Sequence, residues 1–323
     1  GEPFVNFKGI SYIVDYINKI DSNTQIYITT NGVLLKKDIM KWFSTNKNVH
    51  LFVSFAGIPS MHDELRLTVG GKPTYEVIKK NLLYLKDIDP TSYSTRINFI
   101  FNIFDEIQLP ELQDYWAKDE LFEHVDRMPE VTFIDCFDND YIYGLREEIL
   151  KKYDKRINPL LMYIELLKNG EHDNLIVKHY DEKLLRVHRS YTGNRNILTG
   201  VCRPFASKIF IDANGKLNLC ENFTYGDKLG TIKDGISYDI TKELLRSYKS
   251  ERNKTCVNCW ASKFCSLCYR DLFDREGAIN TLRSSKICKY EQKAIKIALT
   301  EYCTVMEHGE DLLDHLNGYV VHV

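Results

Sequence analysis

The chain has 323 residues, with 43 Lys plus Arg against 45 Asp plus Glu and a formal charge of −2. That length accommodates two domains at about 100–200 residues each, and 44% hydrophobic residues supply a sizeable core. A balance so near neutral calls for neither nucleic acid nor an anionic membrane surface as partner. No apolar run approaches the ~20 residues that span a bilayer, and Gly-Glu-Pro-Phe at the start lacks the regions of a signal peptide, so the chain reads as cytoplasmic.

In chain order, "FKGISYIVDYINKI" carries Ile10, Ile13, Val14, Ile17 and Ile20 at helical spacing, and the β-branched "QIYITT" (25–30) follows, ending at Asn31-Gly32. "LLKKDIMKWF" predicts a helix and "VHLFVSF" (49–55) a buried strand. Thr74 is the expected N-cap of "YEVIKKNLLYLKDI". "TRINFIFNIF" (95–104) predicts a third strand, "LPELQDYWAKDELF" (109–122) a mainly helical stretch and "EVTFIDCF" (130–137) a fourth strand. Strands separated by helices argue for parallel βα units with right-handed crossovers. Residues 141–199 are helical and charged and read as a bridge. In "SKIFIDANGKLNLC" two alternating runs flank Asn214-Gly215, which predicts a β-hairpin with a tight primed turn, bringing Cys220 back towards Cys202.

Eight of the nine cysteines fall after residue 200, which with a reducing compartment favours metal binding over a disulfide framework. The order is Cys202-x12-Gly215-x4-Cys220, then Cys256-x2-Cys259-x5-Cys265-x2-Cys268, then Cys288. Two-knuckle zinc sites separate their CxxC pairs by about 15–20 residues, so one tetrahedral site from the central four is strained. Sharing the thiols between two sites is the better solution, as in ferredoxin runs whose last cysteine ligates a second cluster. Cys136 on a strand and Cys303 on a periodic stretch read as small core residues.

This order resembles the seven-cysteine signature of the SPASM domain, the C-terminal extension of radical SAM enzymes that modify peptides and proteins; one departure is the two-residue gap before Cys268, where the family has three. The resemblance implies two auxiliary [4Fe-4S] clusters, one on Cys256, Cys259, Cys265 and Cys288, the other on Cys202, Cys220 and Cys268, with an open iron for which Cys136 or Cys303 is a distant candidate. Upstream, "GEP", "TTNG", "VSFAG" with "MHDELR", and "INFIFN" resemble, in order, the marks of a radical SAM barrel. That implies S-adenosylmethionine (SAM) contacts from Glu2, Ser54, Arg66 and Asn98 or Asn102. Taken alone, Glu2 and Arg66 read as surface charges, Asn31-Gly32 as a turn and Asn98 as a satisfied strand residue. Ala56 stands where the family has Asp.

The fold expected is therefore α/β: an incomplete radical SAM (β/α)6 partial barrel over 1–140, a helical bridge over 141–199, a small α+β SPASM iron-sulfur domain over 200–300 and a C-terminal tail over 301–323. The family's CxxxCxxC, which holds the SAM-cleaving third [4Fe-4S] cluster, is expected before Gly1 with the first two strands, so the chain by itself is not expected to cleave SAM. The implied activity is radical modification of a ribosomally made peptide, such as a crosslink through a Cys sulfur, with a flavodoxin or ferredoxin as electron donor. Formylglycine-forming sulfatase maturation is the alternative enzyme reading; a non-catalytic iron-sulfur or zinc scaffold is the alternative from another class. Glu221, beside Cys220, is the candidate proton acceptor, with a surface carboxylate as its plain reading. Phe205, Phe210, Phe223, Trp260 and Phe264 are expected around the cysteines, where burial tunes a cluster's potential.

Overall fold

The computed structural model describes residues 1–134, 140–188, 205–206, 208–223, 228–274 and 278–318, the side chains of 281–284 excepted. They fall into two compact units, Gly1–Tyr180 and Asp181–Val323, divided within a helix of the segment read as a bridge.

The first unit holds a four-stranded all-parallel sheet in chain order: β1 (Ile26–Thr30), β2 (Val49–Phe55), β3 (Ile97–Ile103) and β4 (Glu130–Phe133). Between and around the strands lie α1 (Phe7–Ile20), α2 (Lys37–Thr45), α3 (Pro59–Leu65), α4 (Tyr75–Ile88), α5 (Pro90–Arg96) and α6 (Leu109–Lys118), followed by α7 (Asp140–Leu150), α8 (Pro159–Lys168) and α9 (Leu175–His188). Parallel strands need such crossovers, so the alternation of periods in the sequence dictates the topology. The register pairs Thr30 with Val53, Phe52 with Asn98 and Asn102 with Thr132.

The two faces of this sheet differ. Val49, Leu51, Val53 and Phe55 alternate with half-buried His50, Phe52 and Ser54, and the first set joins Phe99 and Phe101 in the core. The opposite face carries Tyr27, 56% exposed, Thr29, Ser54 and Asn102. Wholly parallel sheets are ordinarily covered on both sides, so an open polar face marks where something other than this unit's own core packs.

Thr74 stands at the N-cap of α4, but its hydroxyl does not cap: it donates to the Arg66 carbonyl, and Asp63 Oδ1 accepts from the Thr74 and Tyr75 amides at 3.0 and 2.9 Å. A carboxylate brought back by α3 thus does the work that local sequence assigns to the threonine.

The second unit contains a hairpin, β5 (Phe210–Ile211) with β6 (Leu217–Asn218), and a second small ladder, β7 (Gly230–Thr231) with β8 (Gly235–Ile236). Three helices follow: α10 (Tyr238–Thr255), α11 (Tyr269–Leu272) and α12 (Thr281–His308). The hairpin turn is not the primed type expected. Asp212 O accepts from the Gly215 amide, and only Gly215 of the pair takes positive φ, at +76°. That is a type I turn closed by a left-handed glycine, drawn tight by Asp212 Oδ1 accepting from the Asn214 and Lys216 amides. Leu219, Phe223, Leu244, Tyr248, Tyr269 and Phe273 form one core joining hairpin, α10 and α11, with Cys220 packed against it.

Candidate functional site

Chemistry-bearing residues gather in two places, one in each unit. The first is the C-terminal end of the parallel strands, where α/β sheets place their sites. Glu2 Oε1 accepts from the Thr30 hydroxyl at 2.7 Å and Oε2 from the Asn31 amide at 2.8 Å, so "GEP" and "TTNG" are one bonded feature. Gly32, at φ +78°, packs so closely that a Cβ would lie 2.8 Å from Ile78. Ser54 lies one residue beyond the level of Thr30 on the next strand, on the open face. Asn102 occupies the same end of β3, donating to Phe55 O at 2.9 Å and accepting from the Thr132 hydroxyl.

Asn98 sits at the opposite, N-terminal end of β3, buried, with its amide near the Leu51 and Arg96 carbonyls at 3.5 and 3.4 Å. Strand ends therefore bring Glu2, Ser54 and Asn102 together and leave Asn98 apart. Arg66 follows α3; half-buried, its guanidinium makes no hydrogen bond or ion pair among the described residues, and burial lowers its pKa. A cavity of about 960 Å³ in this unit, walled by α3, α6, α7 and α8, is lined by none of these residues.

The motif "MHDELR" owes its rigidity to His62. Fully buried, its Nδ1 accepts from the Ala56 amide at 3.3 Å, and Nε2 lies 3.0 Å from the Thr74 hydroxyl, which in turn donates to Arg66 O. That relay needs a neutral ring donating from Nε2, and burial, helped by the Arg66 charge, pushes the His62 pKa down to about 4. Gly57, at φ +61°, makes the sharp exit from β2; a Cβ there would meet the Met61 sulfur at 2.6 Å.

The second place is a cavity of about 540 Å³ in the second unit, onto which Cys256, Cys259, Cys265, Cys268 and Cys288 all open. Cys256 ends α10, Cys259 and Cys265 follow on the loop, Cys268 begins α11 and Cys288 comes from α12. Among the described residues two side-chain N–H groups donate to these thiols: Gln292 Nε2 to Cys259 Sγ at 3.4 Å and Arg252 Nη1 to Cys265 Sγ at 3.6 Å. Burial, then the charges of Cys256 and Cys265, raise the Cys288 pKa. Burial and then Asp271 push Cys268 up to about 11. Cys288 thus faces three thiols of the run, whereas Cys268 faces the Asp271 carboxylate of its own helix.

Among the described residues no three His, Cys, Asp or Glu groups converge tightly enough to share one metal ion. Thiols spread around a space of several hundred Å³ instead fit a larger thiolate-held group, and a soft, all-sulfur donor set with N–H donors on the sulfurs is what a [4Fe-4S] cluster takes. The residues present fit one such cluster. Cys136 and Cys202 lie outside the described residues, and Cys303 is exposed on α12, not a core residue.

Around the cysteines, Phe223 is buried, but Trp260 is 55% exposed and shields little. Glu221 is half-exposed and pairs with Lys208 at 2.6 Å, which holds its carboxyl below the usual range; acting as a base requires that pair to open. Arg252 and Gln292 went unread in the sequence. A signal existed for the first, because Leu244, Tyr248, Arg252 and Cys256 fall four residues apart on one face of α10.

No family model and no curated protein matches the sequence. Solved structures do resemble it in fold. The structure described as native anSMEcpe with bound AdoMet and Kp18Cys peptide aligns over 99% of this chain and 84% of its own, with a TM-score of 0.62 and 17% identity. Native anSMEcpe with bound AdoMet aligns over 99% and 83%, at a TM-score of 0.59 and 17% identity. These are structures of an anaerobic sulfatase-maturating enzyme, and the α/β partial-barrel architecture expected from the sequence is the fold they share with this chain.

Proposed function

We propose that this chain is a radical SAM peptide maturase of the SPASM type, whose second unit holds auxiliary iron-sulfur clusters and whose first unit frames SAM and a peptide at the strand ends. The observation that carries the reading is the convergence of five thiols from a helix end, a loop and a distant helix on one cavity. In this reading Cys256, Cys259, Cys265 and Cys288 hold one [4Fe-4S] cluster; Cys220 and Cys268, which flank the same small core, hold another with Cys202. When bound, such clusters pass single electrons or offer an open iron to a thiolate.

The chain's own residues supply binding, orientation and exclusion of water. Arg66, a half-buried cation without a partner among the described residues, is suited to a carboxylate such as that of SAM. Glu2 holds the β1 turn, leaving the backbone beyond Thr30 fixed beside Ser54. The same sheet face carries the stacked Tyr27 and His50 rings, 5.0 Å apart, at the N-terminal end of β1 and β2, away from Glu2, Ser54 and Asn102. The 323 residues contain no CxxxCxxC, so SAM cleavage is assigned to no residue of this chain. Its electron donor is proposed to be a flavodoxin or ferredoxin.

Two peptide chemistries fit. Crosslinking through a Cys sulfur suits an open iron; oxidation of a Cys or Ser to formylglycine is favoured by the likeness to anSMEcpe with its Kp18Cys peptide. The test common to both is anaerobic reconstitution with iron and sulfide, followed by metal analysis and absorbance. We expect about eight irons per chain and about four in Cys268→Ser. One or two zincs and no iron would overturn the cluster reading. Loss of all iron in Cys268→Ser would return the thiols to a single site.

A further inference from the structure

We infer that Arg252 sets the reduction potential of the cluster proposed for the Cys256, Cys259, Cys265 and Cys288 cavity, acting as a buried cation and a donor to sulfur; this rests on the cluster reading above. Arg252 is only 6% exposed. One of its N–H groups, on Nη1, donates to Cys265 Sγ, and its guanidinium carbon lies 5.8 Å from the Tyr248 ring. Its Nε is buried and has no hydrogen-bond partner. No carboxylate pairs with it among the described residues, although the chain has 45 acidic side chains to choose from.

A guanidinium cannot escape this situation by losing its proton, and burying it without an anion is unfavourable. The stripe Leu244, Tyr248, Arg252 and Cys256 nevertheless directs it inward, towards a cavity whose other walls are thiols. The natural partner is an anion occupying that cavity, and a thiolate-held iron-sulfur cluster is one, with sulfide corners able to accept the idle Nε hydrogen. Reduction adds negative charge to such a cluster. A fixed cation with N–H bonds to its sulfurs favours the reduced state and raises the potential, as partners around a metal generally tune it. Gln292, donating to Cys259 Sγ, repeats the hydrogen bond without the charge and so serves as an internal comparator.

The test is a potentiometric titration of the reconstituted full chain, followed by electron paramagnetic resonance of the signal that Cys288→Ser abolishes. In Arg252→Gln, with iron per chain unchanged, reduction should become at least tenfold less favourable, about 59 mV for a one-electron couple. Arg252→Lys, which keeps the charge, should shift less, and Gln292→Leu less than Arg252→Gln. A loaded Arg252→Gln with the wild-type potential overturns the inference. Iron lost from Arg252→Gln but retained in Arg252→Lys supports the cation as the cluster's counter-charge; iron lost from both makes the role structural and overturns it. A wild-type chain that takes up no iron overturns the cluster reading, and this inference with it.

Discussion

Arg96 in the first unit and Arg252 in the second are equally buried, each 6% exposed, yet one is finished and the other is not. Arg96 Nη1 donates to the carbonyls of Phe43, Asn46 and Val49 at 3.1, 2.8 and 2.9 Å, its Nη2 donates to the Ser92 hydroxyl, and its plane lies 4.1 Å from the Phe43 ring. It clamps the end of α2 to the start of β2. Arg252 has one long contact to sulfur and an idle Nε. Burial alone does not separate a structural cation from one awaiting a ligand; hydrogen-bond satisfaction does.

The comparison breaks most sharply on truncation in iron-free protein. Arg96→Ala removes the donors that serve three carbonyls and a hydroxyl and leaves a cavity against Phe43, and should cost roughly 4 kcal/mol in urea denaturation. Arg252→Met removes a buried charge that lacks an anion and fills the same space with an apolar chain, so it should be neutral or stabilising. Equal losses from both would mean that Arg252, too, is a structural clamp.

Where a signal is periodic and local, the sequence carries it: α1 and β2 begin and end where their apolar spacing does, and Asn214-Gly215 announces a hairpin. Where the partner comes from elsewhere in the chain, it does not. The bond from Thr30 to Glu2 spans 28 positions, and nothing in "GEP" names the donors that the Glu2 carboxylate accepts from. Thr74 precedes a helix as caps do, but Asp63 takes that role because α3 returns alongside. Asn98 and Asn102 are alike in sequence, yet four residues of strand put them at opposite ends of β3. The five thiols were visible as a set; their convergence on a cavity, and the cation beside them, needed the packing of α10 against α11 and α12's Cys288.

A smaller effect tests the first unit through pH. Unfolded His62 should titrate near 6.5, whereas the folded ring is held neutral down to about 4. Between those values the unfolded chain binds the extra proton, so His62's contribution is complete above pH 6.5 and is lost progressively as pH falls towards 4. At about 1.4 kcal/mol per pH unit the loss reaches about 3 kcal/mol. His62→Gln retains an acceptor for the Ala56 amide and a donor for Thr74 but cannot titrate. Urea denaturation between pH 7 and pH 4 should therefore show a shallower acid slope in the variant; identical slopes would place the acid sensitivity elsewhere.

The smallest effect separates local sequence from tertiary supply at the start of α4. Asp63 Oδ1 accepts from two amides there, so Asp63→Ala should cost about 1 kcal/mol, the usual worth of a cap, and Asp63→Asn less, because an amide oxygen still accepts. Thr74→Ser keeps the hydroxyl that joins His62 to Arg66 O and should change stability by only a few tenths, since its methyl is not the cap. Amide hydrogen exchange at Thr74 and Tyr75 reads the difference directly. Both amides should lose protection in Asp63→Ala and keep it in Thr74→Ser. The reverse order would return the cap to the threonine, and with it the rule that a helix start is set by the residue that precedes it.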